Sequence, residues 1–157
     1  MLNKLTENKP SAGCLTVCYD NLQRCVATNV QITDIYTGNK ATTLGIWDTG
    51  ATSCVITKDL VTELQLTPIG QIVVHGVHGN KRVNSYIIKM NLVGKSDIQI
   101  ATIATECDTL SEDGSVGMLI GMDVISNGDF AITNFQNKTT MSFRTPSSHK
   151  IDYETVN

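Results

Sequence analysis

What this chain lacks narrows its class first. No apolar run approaches the roughly 20 residues that a membrane-crossing helix needs, so no membrane partner is expected. There is no basic stretch either. Its 12 Lys and Arg are outweighed by 15 Asp and Glu, a net charge of −3, and nucleic acid is not an expected partner. The first ten residues are polar and lack the apolar core of a secretory signal. The five cysteines, Cys14, Cys18, Cys25, Cys54 and Cys107, are odd in number and irregularly spaced, which makes a poor disulfide framework. Both features fit a reducing compartment, and a cytoplasmic location is the expectation. Cys14, Cys18 and Cys25, with His75 and His78 downstream, match no standard zinc-ligand spacing. No metal and no cofactor is expected, and the plain reading of the cysteines is small, semi-buried thiols. Repeats of fixed period and low-complexity segments are also missing.

What is present reads as strands. At 157 residues the chain suits one domain with tails, drawn here as an N-terminal extension over 1–25, a domain over 26–146 and a polar C-terminal tail over 147–157. Val26, Thr28, Val30, Ile32 and Asp34 share one parity, as a half-buried strand requires. A turn at Thr37-Gly38-Asn39-Lys40 follows, then a return strand over 42–47. Residues 55–57 are extended. Thr57 is placed to cap a short helix over 58–65, with Leu60, Val61 and Leu64 on one face. β-type patterning resumes from Gln71. Ile72-Val73-Val74 runs into a glycine-bearing tip at His75-Gly76-Val77-His78-Gly79-Asn80, and Tyr86, Ile88, Met90 and Leu92 alternate on the way back. Another strand carries Ile98, Ile100, Thr102 and Ala104 on one face. After a polar loop over 108–115, the run Met118-Leu119-Ile120-Gly121 leads into a short helix that Asp123 is placed to cap. A hairpin over 130–144 follows. Many short strands and two short helices predict an all-β barrel or sandwich.

One stretch does not fit a purely structural reading. Asp48-Thr49-Gly50-Ala51 follows directly on the apolar strand that ends at Trp47. These residues are common in turns, but here the carboxylate is set at the end of an apolar strand, where burial alone would favour its neutral form. A group kept in such a place is either satisfied by a partner or used.

Asp48-Thr49-Gly50-Ala51 at a strand end, a downstream glycine-bearing hairpin, and Leu119-Ile120-Gly121 leading into a helix occur here in one order. That order resembles the retropepsin-like, or retroviral-type, single-domain aspartic proteases, over roughly residues 26–146. The resemblance implies an acid-protease β-barrel and peptide hydrolysis in which two Asp carboxylates act on one water. Two such groups in contact share a proton. The ionised one takes a proton from the attacking water while the other donates to the carbonyl oxygen. This chain has one Asp-Thr/Ser-Gly. Asp113-Gly114 and Gly128-Asp129 lack the preceding apolar strand. A homodimer acting on an extended peptide is therefore implied, each chain giving Asp48. By the same resemblance Thr49 would bond across the pair of loops. Gly50 would admit close backbone approach. Leu119, Ile120 and Gly121 would support the loop from beneath, and residues 75–80 would form a flap able to pair with substrate backbone.

The chain departs from the retroviral pattern in four places. Trp47 stands where a smaller aliphatic residue is usual. Met122 replaces a common arginine, and Thr52 replaces the acid that pairs with it, so no charge is stranded. The 130–144 hairpin is additional, although retroviral dimers are tied by short terminal strands. Two other readings compete: a catalytically inactive module that binds peptides or dimerises, and a metal-dependent hydrolase built on His75, His78 and a cysteine. The sequence does not name the substrate.

Overall fold

The computed structural model describes residues 12–76, 79–94 and 97–155. Val77 and His78 of the expected flap, Lys95 and Ser96 of the following turn, and both chain ends lie outside the described residues.

The alternation that predicted the first domain strand is realised side chain by side chain. In β2 (Ala27–Asp34) and the residue before it, Val26, Thr28, Val30, Ile32 and Asp34 are all at most 7% exposed. Asp34 closes the strand by anchoring the next turn. Its carboxylate accepts from the Tyr36 and Thr37 amides, both at 3.2 Å, and from the Thr37 hydroxyl at 2.6 Å. Burial pushes this carboxyl up, but the three hydrogen bonds outweigh it and hold the group below its ordinary value. The chain returns antiparallel as β3 (Lys40–Trp47).

From β3 the sheet is assembled by long-range pairing. β3 runs parallel to β8 (Val116–Ile120). The short β4 (Val55–Thr57) is antiparallel to β8 and parallel to β7 (Ile98–Cys107). β7 pairs with the long β6 (Gly79–Leu92), and β6 pairs back onto β2. That last pairing closes a six-stranded barrel. Ile32, Ile56, Ile88, Met90, Leu92, Met118 and Ile120 fill it, none measurably exposed. β5 (Gly70–Gly76) hangs outside the closed barrel on the first half of β6 and forms a hairpin with it.

Helix α1 (Lys58–Leu64) starts where expected, with the Thr57 hydroxyl accepting from the Leu60 amide at 3.4 Å and Leu60 and Leu64 buried. Helix α2 (Met122–Ile125) corrects one expectation. Its N-cap is Gly121, with no side-chain cap bond, and Asp123 sits inside the first turn with its carboxylate directed elsewhere.

A three-stranded sheet packs beside the barrel. β9 (Asp129–Thr133) and β10 (Thr140–Thr145) form the expected hairpin, joined through a 3-10 turn at Phe135–Asn137 in which Gln136 and Asn137 have positive φ. β1 (Gly13–Cys18) pairs with β10 along its whole length, from Gly13 opposite Thr145 to Cys18 opposite Thr140. Residues of the N-terminal extension thus enter the folded body. The segment after β10 folds back, with the Ser147 hydroxyl, the Ser148 amide and the Arg144 guanidinium all donating to Asp129. The cysteines correct a second expectation. Cys14, Cys18 and Cys25 are exposed rather than semi-buried, and Cys54 is fully buried. Cys14 and Cys18 share the outward parity of β1, which their spacing of four allows and which an isolated cysteine cannot reveal.

Candidate active site

β3 delivers Asp48 to its turn through an anchored Trp47. The indole is 6% exposed, lies 5.3 Å from the Phe130 ring at an interplanar angle of 13°, and is 5.0 Å from Phe143. Its Nε1–H donates to the buried Thr28 hydroxyl at 3.0 Å. The Trp47 amide donates to the Val26 carbonyl. An aromatic cluster bridging barrel and side sheet thus fixes the residue before the carboxylate.

The loop then turns on backbone bonds. The Asp48 amide donates to the Ile120 carbonyl at 2.9 Å, and the Ala51 amide donates to the Asp48 carbonyl at 3.2 Å. The Gly50 amide donates to Asp48 Oδ1 at 2.8 Å. Asp48 is half-buried and Thr49 and Gly50 are exposed. Among the described residues the second carboxylate oxygen has no protein partner. A Cβ at Gly50 would lie 3.1 Å from Asp48 Oδ1, so glycine lets the amide approach the carboxylate.

β8 and α2 support this loop from below. Ile120 is fully buried opposite Trp47 in the parallel register. Gly121 touches the loop itself, since a Cβ there would lie 2.6 Å from the Ser53 carbonyl carbon. The Met122 amide donates to the Ala51 carbonyl at 2.8 Å and the Asp123 amide to that of Thr52 at 3.2 Å. These bonds join the two segments without the ion pair that Thr52 and Met122 lack. Leu119 is instead half-buried and faces a cleft.

The Asp123 carboxylate completes the underside, and the sequence reading missed its role. It accepts from the Thr102 hydroxyl at 2.7 Å and from the Cys54 thiol at 3.3 Å, while the Gly121 amide donates to Cys54 Sγ. Burial first, with the Asp123 charge adding, pushes the Cys54 thiol up to about 12. It is an inert structural donor. A signal was present: Thr102 interrupts the apolar parity of Ile98, Ile100 and Ala104, and a hydroxyl in such a row needs a polar partner.

The β5–β6 hairpin carries the expected flap positions. His75 pairs with Asn80 and Gly76 with Gly79, whose φ of 107° suits glycine. Between β5 and the Asp48 loop lies an open cleft of about 650 Å³ walled by Gly50, Ala51, Thr52, Ile72, Val74 and Ile103. A second hollow, of about 430 Å³, lies against β6, with Val55, Val83, Leu110 and Leu119 as its apolar wall and Lys81 and Asp108 beside them. Asp108 accepts from Lys58 at 2.6 Å and Lys81 at 3.2 Å, and these bonds hold its carboxyl below the ordinary range. Glu106 nearby accepts from the Tyr86 hydroxyl and the Asn84 amide. Among the described residues, no three His, Cys, Asp or Glu side chains gather as a metal site.

The fold is similar to a retropepsin-like aspartic protease from Rickettsia conorii, at 12% identity and a TM-score of 0.49, covering 86% of this chain and 96% of that one. It is similar to the simian foamy virus protease at 16% identity and a TM-score of 0.45, covering 64% and 92%. It is also similar to EIAV protease in complex with the inhibitor HBY-793, at 19% identity and a TM-score of 0.44, covering 68% and 89%. No curated protein sequence matches the chain. The sequence model of the aspartyl proteases matches residues 31–124, which hold the Asp48 loop, the β5–β6 hairpin and β8. With more than half of its length so matched, this chain belongs to the aspartyl protease family.

Proposed function

We propose that this protein is an aspartic endopeptidase, active as a homodimer in which each chain gives Asp48 to one water-activating pair. The observation that carries the reading is the setting of Asp48. One carboxylate oxygen is held by the Gly50 amide at 2.8 Å, and the residue stands on a loop tied to β8, beside an open cleft. Held this way, the carboxylate is aimed rather than consumed. Two symmetry-related copies brought into contact share one proton, and the charge of the pair is then divided between acid and base.

In the reaction, the ionised Asp48 takes a proton from water as the oxygen attacks the scissile carbonyl carbon. The protonated Asp48 of the other copy donates to the carbonyl oxygen. Collapse of the tetrahedral species breaks the C–N bond, and a proton returned from the pair leaves with the amine. Thr49 and Gly50 shape the loop, and Gly121 and Ile120 hold its height. An extended peptide in the cleft would pair with β5–β6 hairpin backbone as a strand does, with the hairpin acting as a flap. The apolar wall of Val55, Val83 and Leu119 favours aliphatic side chains in the substrate.

The test is cleavage of an unfolded protein substrate by wild type and Asp48→Asn. The variant keeps the shape and the Gly50 bond but has no carboxyl to take up or give a proton. Its rate should fall by about a thousandfold or more. Unchanged cleavage by pure Asp48→Asn protein would remove Asp48 from the chemistry and overturn this mechanism, whereas a wild type that cleaves nothing would favour the binding module.

A further inference from the structure

The hollow beside β6 opens where two strands part. Backbone pairing holds β6 to β7 from Leu92 opposite Ile98 as far as Ser85 opposite Thr105. Both strands run on past that point, β7 with β4 beside it and β6 with β5. Had the ladder continued, Asn84 would face Glu106 and Arg82 would face Asp108. Side chains take over in nearly that register. The Asn84 amide group donates to Glu106 at 3.0 Å, and Lys81, farther out, donates to Asp108 Oδ2 at 3.2 Å. Between the parted strands lies the hollow of about 430 Å³ whose apolar wall includes Val55, Val83 and Leu119. Lys81 and Asp108 line it too, so their ion pair bridges its two sides.

Asp108 is tied through its other oxygen as well. Lys58 donates to Oδ1 at 2.6 Å. That contact follows from the parallel register, which sets Thr57 opposite Cys107 and so brings the next residues, Lys58 and Asp108, side by side. Lys58 opens α1 and follows β4, the strand that leaves the Asp48 loop. One carboxylate thus joins the hairpin arm to the segment that follows the loop. We propose that Asp108 is a positioning residue for substrate binding: it struts β6 against β7 and α1, and so sets the width of the hollow that receives a substrate side chain. The inference rests on the endopeptidase reading above and deepens it. The side chains of Lys58, Lys81 and Asp108 are 49%, 64% and 67% exposed. Salt therefore screens the strut, and removing it changes binding a few-fold rather than abolishing it.

Steady-state cleavage of one peptide by the full chain, at low and high salt and fixed protein concentration, tests the proposal. Asp108→Asn should raise KM about threefold at low salt and leave kcat unchanged, because the strut bears on bound substrate and transition state alike. In about 1 M salt the two KM values should converge. Loss of fold stability alone would instead lower the active fraction and hence kcat. Asp108→Glu should recover most of the KM. Lys81→Met should match Asp108→Asn, and the double variant should be no worse than either, since both remove one bond. Asp113→Asn is the control, an exposed acid that accepts from Ser115 of its own loop, and should behave as wild type. Amide exchange over residues 79–84 reads the strut without activity and should be faster in Asp108→Asn. Should that variant fail to fold, Lys81→Met carries both measurements. An unchanged KM, a KM ratio indifferent to salt, additive effects of the two substitutions, or unchanged exchange would each overturn the strut. In those cases the endopeptidase reading would stand on the Asp48→Asn result. A wild type that cleaves no peptide would overturn both.

Discussion

Gly121→Ala adds one methyl group at the contact on which the Asp48 loop rests. The new Cβ would lie 2.6 Å from the Ser53 carbonyl carbon and 2.7 Å from its oxygen. Non-bonded carbons sit about 3.5–4.0 Å apart, so the two segments must separate by about 1 Å. Both are backbone, and no flexible side chain can yield instead. The Met122 and Asp123 amides, which donate to the Ala51 and Thr52 carbonyls, ride on the same contact and lengthen with it. Such overpacking should cost about 1–3 kcal/mol. Because Asp48 hangs on the same loop, a displacement of that size should also lower cleavage by about a hundredfold. The comparison is Gly70→Ala on β5, where the added Cβ would find its nearest neighbour at 3.7 Å and should change little. Denaturant unfolding at fixed protein concentration reads the first effect, and single-turnover cleavage at saturating substrate reads the second. If Gly121→Ala matches Gly70→Ala in both assays, the loop does not rest on Gly121 and the support described here is wrong.

Trp47→Ala removes an indole that contacts two rings and leaves the buried Thr28 hydroxyl without its donor. A loss of about 3–5 kcal/mol is expected in denaturant unfolding, with Trp47→Phe recovering part of it. Asp34 has a carboxyl held below its ordinary value in the folded chain, so the unfolded chain takes up the proton first. Its stabilising contribution is therefore full above pH 3.8 and is lost as pH falls from there toward the folded value. Asp34→Asn should flatten that part of a thermal-melt pH series, and an unchanged slope would count against the assignment. Alkylation of the native protein should label the exposed Cys14, Cys18 and Cys25 and spare Cys54, whose thiol is buried and raised to about 12. Rapid labelling of Cys54 would show that the underside of the loop opens.

The parts of the fold legible in the sequence are those set by local spacing. The parity from Val26 to Asp34 named five buried positions. Thr57 and the Leu60/Leu64 pair marked helix α1, and the apolar run into Asp48 marked the end of β3. What was not legible depends on contacts far apart in the chain. The pairing of β1 with β10 joins Gly13 to Thr145, and nothing near either end of the chain announces it. The parallel register of Trp47 with Ile120 is likewise non-local, although it sets the height of the Asp48 loop. Asp123 looked like a cap because it stands near the helix start. Gly121 already caps that helix with backbone, which frees the carboxylate for Thr102 and Cys54, two residues that other strands bring to it. Local rules place a side chain on a face, but they do not say which strand lies opposite.

Mixing wild-type chains with Asp48→Asn chains, followed by cleavage after exchange to equilibrium, tests most directly whether two chains share one pair of carboxylates. If each active unit needs Asp48 from both chains, activity follows the square of the wild-type fraction, and an equal mixture at constant total protein keeps about a quarter of the full rate. Activity that falls only in proportion to the wild-type fraction, keeping about half in the equal mixture, would mean that a single chain carries the chemistry.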